Sequence, residues 1–130
     1  MIWGMGIDLI ETRRIRKELE KSDERFCEMI FTENEIHTCK KRTNLSVQAQ
    51  CFSGRFAVKE AFFKAIGTGL RHGLRWKDVE VLNDSLGKPM LVLHNRALEI
   101  IRERGISNIQ CSISHDRLMT TAIVVLETGT

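Results

Sequence analysis

Residues 52–69 read FSGRFAVKEAFFKAIGTG, and their spacing predicts the helix around which the fold forms. We expect this helix to begin near Ser46 and to end at Gly67, since glycine readily adopts the left-handed conformation that follows a helix end. At 100° per residue, apolar side chains cover most of its circumference, so the helix should lie in the core. These side chains are Cys51, Phe52, Phe56, Val58, Ala61, Phe62, Phe63, Ala65 and Ile66.

One polar stripe interrupts the apolar surface of this helix. Glu60 and Lys64 lie one turn apart on it, beside the small residues Ser53 and Ala57. Small neighbours leave room for a ligand next to a carboxylate and an amine. The same spacing also suits an ordinary surface ion pair between positions i and i+4, worth about 0.2–0.5 kcal/mol. From this helix alone, both interpretations stay open.

The composition limits the class of protein. A chain of 130 residues fits one domain (1–130), and 42% hydrophobic with 28% charged residues is typical of a globular protein. We expect a cytoplasmic protein, because no apolar run reaches the length of a membrane span and residues 1–4 lack a signal-peptide pattern. The net charge of +3 is too small to indicate a nucleic-acid-binding protein.

The cysteines form no C-x-x-C pair, so we expect reduced thiols in a cytoplasmic chain. They are Cys27, Cys39, Cys51 and Cys111. His37 and Cys39 have a spacing that a metal site could use, but packing is the simpler role for both. Basic residues gather near the N-terminus, which indicates either an acidic partner or a solvated helix face. They are Arg13, Arg14, Arg16 and Lys17.

The first ten residues alternate as a strand does. One face carries Ile2, Gly4, Gly6 and Asp8, and the other carries Trp3, Met5, Ile7 and Leu9. Two glycines on one face allow another backbone or a ligand to approach closely. Asp8 ends the glycine face, where it either caps the next helix or binds a ligand.

The remaining elements complete an α+β order of one strand, three helices, two strands, a helix and two strands. Thr32 and Glu35 form a capping box, which predicts a short helix to about Arg42. His115 should lie at the tip of the last hairpin. The other predicted elements are helices at 11–21 and 95–104, strands at 79–82 and 90–93 around a turn at 84–89, and hairpin strands at 109–114 and 118–126.

Polar groups with usable chemistry occur at three places, which are Asp8, Glu60 with Lys64, and the strand end at 112–115. Two carboxylates and an amine suit Mg²⁺ and a phosphate group. His115 is either a ligand or a structural residue of the hairpin tip. The sequence contains no nucleophile elbow, Walker A motif or G-x-G-x-x-G loop. The residues therefore indicate a magnesium–phosphate site.

Four segments together resemble the small bacterial holo-[acyl-carrier-protein] synthases, the stand-alone members of the 4′-phosphopantetheinyl transferase superfamily. They are GMGID at 4–8, FSGRFAVKEAFFKA at 52–65, GKP at 87–89 and SISH at 112–115. The resemblance runs through essentially the whole chain. It implies the 4′-phosphopantetheinyl transferase fold, a β-α(3)-β(2)-like unit followed by a further helix and an antiparallel C-terminal hairpin.

The resemblance also implies an activity, the transfer of 4′-phosphopantetheine from coenzyme A to a serine of apo-acyl carrier protein in fatty acid biosynthesis. Adenosine 3′,5′-bisphosphate would be released. Asp8 and Glu60 would hold the cofactor Mg²⁺, and Lys64 would neutralise the diphosphate as its bond breaks. Either Glu60 or a metal-bound water would deprotonate the serine.

Substrate and partner residues follow from the same resemblance. Coenzyme A would be bound by Arg55, Lys64, Pro89 and His115, with His115 near the 3′-phosphate. Acyl carrier protein would contact Arg14, Arg25 and Phe26. The chain would form a homotrimer with active sites between subunits, and neither nucleic acid nor a membrane would be a partner.

The sequence departs from the family pattern at two places, and two other functions compete with the transferase. Met29 stands where some relatives have a basic residue, which weakens a long basic docking surface, and residues 40–47 match loosely and receive no ligand role. A non-catalytic carrier-binding subunit would not need metal carboxylates. A nucleic-acid-binding domain built on residues 13–17 and 71–75 is disfavoured by the low net charge and the absence of a stacking aromatic motif.

Overall fold

Helices and strands follow the predicted α+β order, with one helix more than expected. The computed structural model describes residues 1–129. Its elements are β1 (Ile2–Glu11), α1 (Thr12–Glu20), α2 (Arg25–Ile30), α3 (Glu33–Lys40), α4 (Leu45–Ile66), a 3₁₀ turn (Trp76–Asp78), β2 (Val79–Asn83), β3 (Pro89–Leu93), α5 (Asn95–Glu103), β4 (Ile106–His115) and β5 (Met119–Thr128). The additional helix is α2, which has six residues and no side-chain cap that would reveal it.

The central helix α4 has the boundaries that the sequence predicts to within a residue. The side chain of Asn44 accepts a hydrogen bond from the backbone N–H of Val47 at 3.0 Å and so caps the start. Gly67 ends the helix in the left-handed conformation, with φ of 92°. Most of α4 is buried, as predicted. Within residues 1–129, neither α4 nor any other helix has the length and apolar character needed to cross a membrane.

Strand β1 packs directly against the backbone of α4. It is the edge of a three-stranded antiparallel sheet in the order β1-β5-β4, while β2 and β3 form a separate hairpin. A Cβ atom on Gly6 would lie 1.9 Å from the carbonyl oxygen of Ala61, and one on Gly4 would lie 2.5 Å from that of Ala65. The glycine face of β1 therefore serves contact between strand and helix within the chain.

The opposite face of β1 is apolar and exposed. Trp3, Met5, Ile7 and Leu9 have 38%, 55%, 62% and 63% of their surface accessible. The antiparallel register places Ile7 beside Ile123 on the neighbouring strand β5. The predicted alternation of β1 is thus confirmed, and it leaves a row of large apolar side chains on the outside of the sheet.

A buried ion pair joins α3 and α4. Lys59 and Glu35 are both fully buried, and the Nζ of Lys59 donates to Oε1 of Glu35 at 2.8 Å and to the carbonyl of Val79. Glu35 also accepts hydrogen bonds from the backbone N–H groups of Thr32 at 2.9 Å and Val81 at 2.8 Å. Burial lowers the pKa of Lys59, and the neighbouring Glu35 opposes that shift. The predicted capping box of α3 is therefore also part of the core.

The expectation that all cysteines are reduced is wrong for one pair, because Cys39 and Cys51 form a disulfide. The two residues are 12 positions apart, and only the packing of α3 on α4 brings them together. Cys27 and Cys111 are free thiols. With its sulfur bonded to Cys51, Cys39 has no thiolate to share with His37 in a metal site.

We predict that Gly6→Ala destabilises the protein strongly, by about 3 kcal/mol or more, because its Cβ atom would meet helix backbone that cannot move aside. Gly54→Ala is the matched control, since its Cβ would meet only the side chain of Ile113, at 3.3 Å. Urea unfolding should show a much smaller loss for the control. Equal losses for the two variants would contradict direct packing of β1 on α4.

Candidate active site

A cavity of about 340 Å³ lies where β1 ends, beside α1, α2 and α4. Its lining includes Asp8 at the end of β1 and Glu60 on α4. Arg14 and Phe26, which the sequence assigns to carrier-protein contact, line the same space. We call it the carboxylate cavity. It brings together residues from four separate parts of the chain, and two of them are the predicted metal ligands.

Lys64 compensates the charge of Asp8 at this cavity more fully than that of Glu60. The Nζ of Lys64 lies 3.3 Å from Oδ1 of Asp8 and donates to the carbonyl of Ile7 at 2.9 Å. Lys64 therefore reaches across to β1, and within residues 1–129 the ordinary surface ion pair between Lys64 and Glu60 is not formed. Burial raises the pKa of Glu60, the nearby Asp8 raises it further, and Lys64 only partly offsets the two.

This donor set fits a hard divalent cation. Asp8 and Glu60 offer carboxylate oxygens at one cavity, and Mg²⁺ is usually held by one or two protein carboxylates while water and phosphate oxygens fill the other positions. Across residues 1–129, no three His, Cys, Asp or Glu side chains are grouped closely enough to hold a metal by themselves. A cation bound here would therefore draw further ligands from water and from a phosphate-bearing substrate.

The small residues on the Glu60 stripe do not provide the space for a ligand. Ser53 and Ala57 are completely buried. Of the two interpretations left open for this stripe, a ligand seated beside Ser53 and Ala57 is therefore not possible, because other parts of the chain cover that face of α4. The open space beside Glu60 lies instead toward Asp8 and Phe26.

A second cavity, of about 170 Å³, has a cationic lining. Arg42, Arg55 and His115 line it together with Gln50 and Cys51, and we call it the arginine cavity. Several cationic groups converging on one small space suit a phosphate. It contains two of the residues that the resemblance assigns to coenzyme A.

Arg55 is held in place by hydrogen bonds, but one of its N–H donors has no partner in the part of the chain that the structure describes. It is 5% exposed, and its Nη1 donates to the carbonyl of Cys51 at 3.5 Å, while its Nη2 donates to Oδ1 of Asn83 at 3.4 Å. Its Nε atom is buried without a hydrogen-bond partner among residues 1–129. Burial lowers the pKa of Arg55, although guanidinium remains charged at neutral pH. A buried donor left unpaired is the kind of group that a bound anion would satisfy.

Two further assignments are refined by the structure. Pro89 starts β3 opposite Asn83, which accepts the hydrogen bond from Nη2 of Arg55, but Pro89 is not part of the cavity lining. Arg42 has no role in the sequence-based prediction, because it lies in the segment 40–47, which matches the family only loosely. Three consecutive basic residues begin that segment, but only the packing of α3 against α4 shows that Arg42 lines the cavity.

The carrier-contact residues divide into two groups. Phe26 lines the carboxylate cavity and stacks on Phe56 with 6.5 Å between ring centroids, and Arg14 lines the same cavity. Arg25 lies outside that lining, with an exposed side chain that pairs with Asp23 at 3.3 Å. The carboxylate and arginine cavities share no lining residue, so a single chain does not unite the predicted metal ligands with His115.

Comparison with known proteins gives a consistent family. The model of the 4′-phosphopantetheinyl transferase superfamily matches residues 4–121. A holo-[acyl-carrier-protein] synthase of Geobacter sp. (strain M21) is 46% identical over 127 residues, which is 98% of this chain and 99% of that protein.

Solved structures of similar proteins agree with this family. A holo-(acyl-carrier-protein) synthase from Bacillus anthracis, in complex with CoA (3′,5′-ADP), has a TM-score of 0.82 and 40% identity, with 99% of each chain covered. A Helicobacter pylori holo-[acyl-carrier-protein] synthase in complex with coenzyme A has a TM-score of 0.80 and 28% identity, with 95% of this chain and 99% of that chain covered.

We predict that Glu60→Gln stabilises the metal-free protein above acidic pH. A carboxyl group whose pKa is raised by folding favours the folded state only while it is protonated, so the parent loses stability as pH rises from the unfolded pKa through the raised value. Glutamine avoids that loss. Because solvent screens a half-exposed group, we expect a gain below about 1 kcal/mol.

Urea unfolding in chelator between pH 4 and pH 8 measures this gain. It should be near zero at the acidic end and reach a plateau toward neutral pH. Glu99→Gln is the control, since its exposed carboxylate pairs with Arg96 at 3.2 Å and its removal should bring no gain. A gain from Glu60→Gln that is largest at low pH would contradict the charge balance described for the cavity.

Proposed function

The chain belongs to the 4′-phosphopantetheinyl transferase superfamily, among its holo-[acyl-carrier-protein] synthases, and we propose that it transfers 4′-phosphopantetheine from coenzyme A to a serine of apo-acyl carrier protein. Adenosine 3′,5′-bisphosphate is the second product, and the reaction supplies carrier protein for fatty acid synthesis. The carboxylate cavity is the observation that carries this proposal, because it joins two candidate metal ligands to two candidate carrier contacts.

Asp8 and Glu60 hold Mg²⁺ in this proposal. When bound, the cation supplies positive charge that neutralises the diphosphate of coenzyme A. The electrostatic repulsion between the two carboxylates supports this role, since Asp8 helps to raise the pKa of Glu60 and Lys64 only partly offsets that shift. A cation would remove that repulsion.

Lys64 is the second source of positive charge. In the unliganded chain it pairs with Asp8 and the carbonyl of Ile7, and 55% of its side chain is exposed, so it can turn toward a substrate without leaving a buried site. The oxygen of the carrier serine attacks the phosphorus that bears pantetheine, and the bond from that phosphorus to the oxygen of the nucleotide phosphate breaks. Lys64 stabilises the negative charge that grows on the departing phosphate.

The serine must lose a proton during this step. Glu60 lines the same cavity as Arg14 and Phe26, the proposed carrier contacts, which supports Glu60 as the general base. A metal-bound water would be the alternative base. Arg14 lines the same cavity and would pair with an acidic residue beside the serine, while Phe26 and the exposed Arg25 extend the contact with carrier protein.

The arginine cavity binds the nucleotide end of coenzyme A in this proposal. Arg55 and His115 hold the 3′-phosphate, and Arg42 adds a second guanidinium that the sequence did not suggest. The unpaired Nε of Arg55 supports an anion at this place. Pro89, at the start of β3, pairs with Asn83, which accepts a hydrogen bond from Arg55.

A homotrimer with shared active sites reconciles the two cavities. Since they share no lining residue, a coenzyme A molecule would contact Asp8, Glu60 and Lys64 of one subunit and Arg55, Pro89 and His115 of the next. The exposed apolar face of β1 supports self-association, because large apolar patches commonly mark interfaces. Three chains of 14.9 kDa give about 45 kDa.

The transfer is tested by incubating the protein with coenzyme A, Mg²⁺ and apo-acyl carrier protein and then measuring the mass of the carrier protein by mass spectrometry. We expect the mass of phosphopantetheine to be added and chelation to abolish the reaction. Asp8→Asn and Glu60→Gln should each lower the rate by about 100-fold or more. Glu99→Gln, on the exposed face of α5, should retain parental activity, and full activity of both cavity variants at limiting Mg²⁺ would reject the metal assignment.

Shared sites predict complementation between two inactive variants. Asp8→Asn removes a proposed metal ligand, and His115→Ala removes a proposed ligand of the nucleotide. If equal amounts of the two variants are unfolded and refolded together, random assembly gives about one subunit interface in four with both an intact Asp8 and an intact His115. About a quarter of parental activity should therefore return. Light scattering should give about 45 kDa for the parent. A monomer, or no recovery while refolded parent is active, would reject the shared site.

A further inference from the structure

We infer that the Cys39–Cys51 disulfide is a reversible redox switch that strengthens nucleotide binding in the arginine cavity. The inference rests on the proposed function, because that function assigns the cavity to the nucleotide end of coenzyme A. The disulfide is covalently joined to the lining of this cavity, since Cys51 is itself a lining residue.

The two sulfur atoms occupy different environments. Cys39 lies in the last turn of α3 and is fully buried, while Cys51 lies near the start of α4 and is partly exposed. The Nη1 of Arg55 lies 3.3 Å from the sulfur of Cys51 and 3.5 Å from its carbonyl oxygen. A change at Cys51 therefore acts directly on Arg55, the most buried cationic group of the cavity.

The disulfide also holds the connection that carries Arg42. That connection, residues 41–44, lies between α3 and α4, and the disulfide joins the two helices on either side of it. Its other anchors include exposed hydrogen bonds from the side chain of Gln48 to the carbonyls of Lys40 at 3.4 Å and Arg42 at 3.2 Å. Without the disulfide, weak exposed bonds would have to hold Arg42 at the cavity.

Binding should therefore differ between the two redox states. A cross-link removes conformational freedom from the segment it closes, so the oxidised protein presents Arg42 and Arg55 already ordered around the phosphate. In the reduced protein, part of the binding free energy is used to order that segment. The oxidised state is then the tighter binder.

The chemical step is ordinary thiol–disulfide exchange with a small-molecule dithiol. One thiolate of the dithiol attacks the sulfur of Cys51, the accessible partner, and Cys39 leaves as a thiolate that takes up a proton. The second thiol of the reagent then closes on the first, which releases Cys51. The dithiol loses two electrons and two protons and becomes a disulfide, and a small-molecule disulfide reverses the step.

The test measures binding of adenosine 3′,5′-bisphosphate by calorimetry with the parent protein, first oxidised and then held in excess dithiothreitol. We expect reduction to raise the Kd about fivefold or more, the lower end of usual coupling between two sites. Cys39→Ser should bind like the reduced parent in both buffers, because it cannot form the disulfide. Cys111→Ser keeps the pair and should respond to reductant as the parent does.

A second readout does not depend on the function of the cavity. Trypsin cleaves after Lys40, Lys41 and Arg42, all within the loop that the disulfide closes, and reduction should accelerate those cuts in the parent but not in Cys39→Ser. Alkylation of the oxidised protein under denaturing conditions should label Cys27 and Cys111 only. Labelling of all four cysteines would overturn the inference.

The outcomes separate the switch from the proposed function. Equal affinity in both redox states, with phosphopantetheine transfer intact, would overturn the switch and leave the function standing. Failure of either state to bind the nucleotide, with redox-dependent cleavage retained, would overturn the assignment of the cavity to coenzyme A and the switch with it. A Kd that rises on reduction in both the parent and Cys39→Ser would trace the effect to the reagent and also overturn the switch.

Discussion

The fully buried ion pair between Lys59 and Glu35 fixes how α4 sits in the molecule. Lys59 uses three hydrogen bonds, to Glu35 and to the carbonyls of Trp76 and Val79, while Glu35 also accepts two backbone N–H groups. A buried pair is tolerated only when its remaining hydrogen-bonding capacity is satisfied in this way. Cys51 and Arg55 lie eight and four residues before Lys59 on the same side of α4, so the register that the ion pair sets also places the arginine cavity.

A different constraint sets the other side of α4. Gly4 and Gly6 allow β1 to rest on the helix backbone, which brings Asp8 at the end of the strand to the carboxylate cavity that Glu60 also lines. One helix thus supplies both cavities, each through a different face. Because the faces diverge, we propose that a ligand using both finds the second one on another subunit of the trimer.

The sequence could predict the parts that depend on local rules. The capping box of α3, the glycine face of β1 and the end of α4 at Gly67 all follow from residue spacing. Residue spacing does not show which distant segments pack together. It therefore could not predict the partner of Lys59, the Cys39–Cys51 disulfide or the position of Arg42 at the cavity. Lys59 has no role in the sequence-based prediction, because nothing in its local spacing indicates a buried carboxylate 24 positions away.

The charged groups of α4 differ in how completely the chain itself satisfies them, and that difference separates Lys59 from the residues proposed to act in function. Lys59 has all its partners within the fold. Glu60 instead has a pKa raised by burial and by Asp8, and Arg55 keeps a buried Nε without a partner among residues 1–129. A buried carboxylate that is repelled by a second carboxylate favours a bound cation, and an unpaired guanidinium donor favours a bound anion. A diphosphate that carries a metal ion, joined to a nucleotide phosphate, would satisfy both, and coenzyme A with Mg²⁺ has this chemistry.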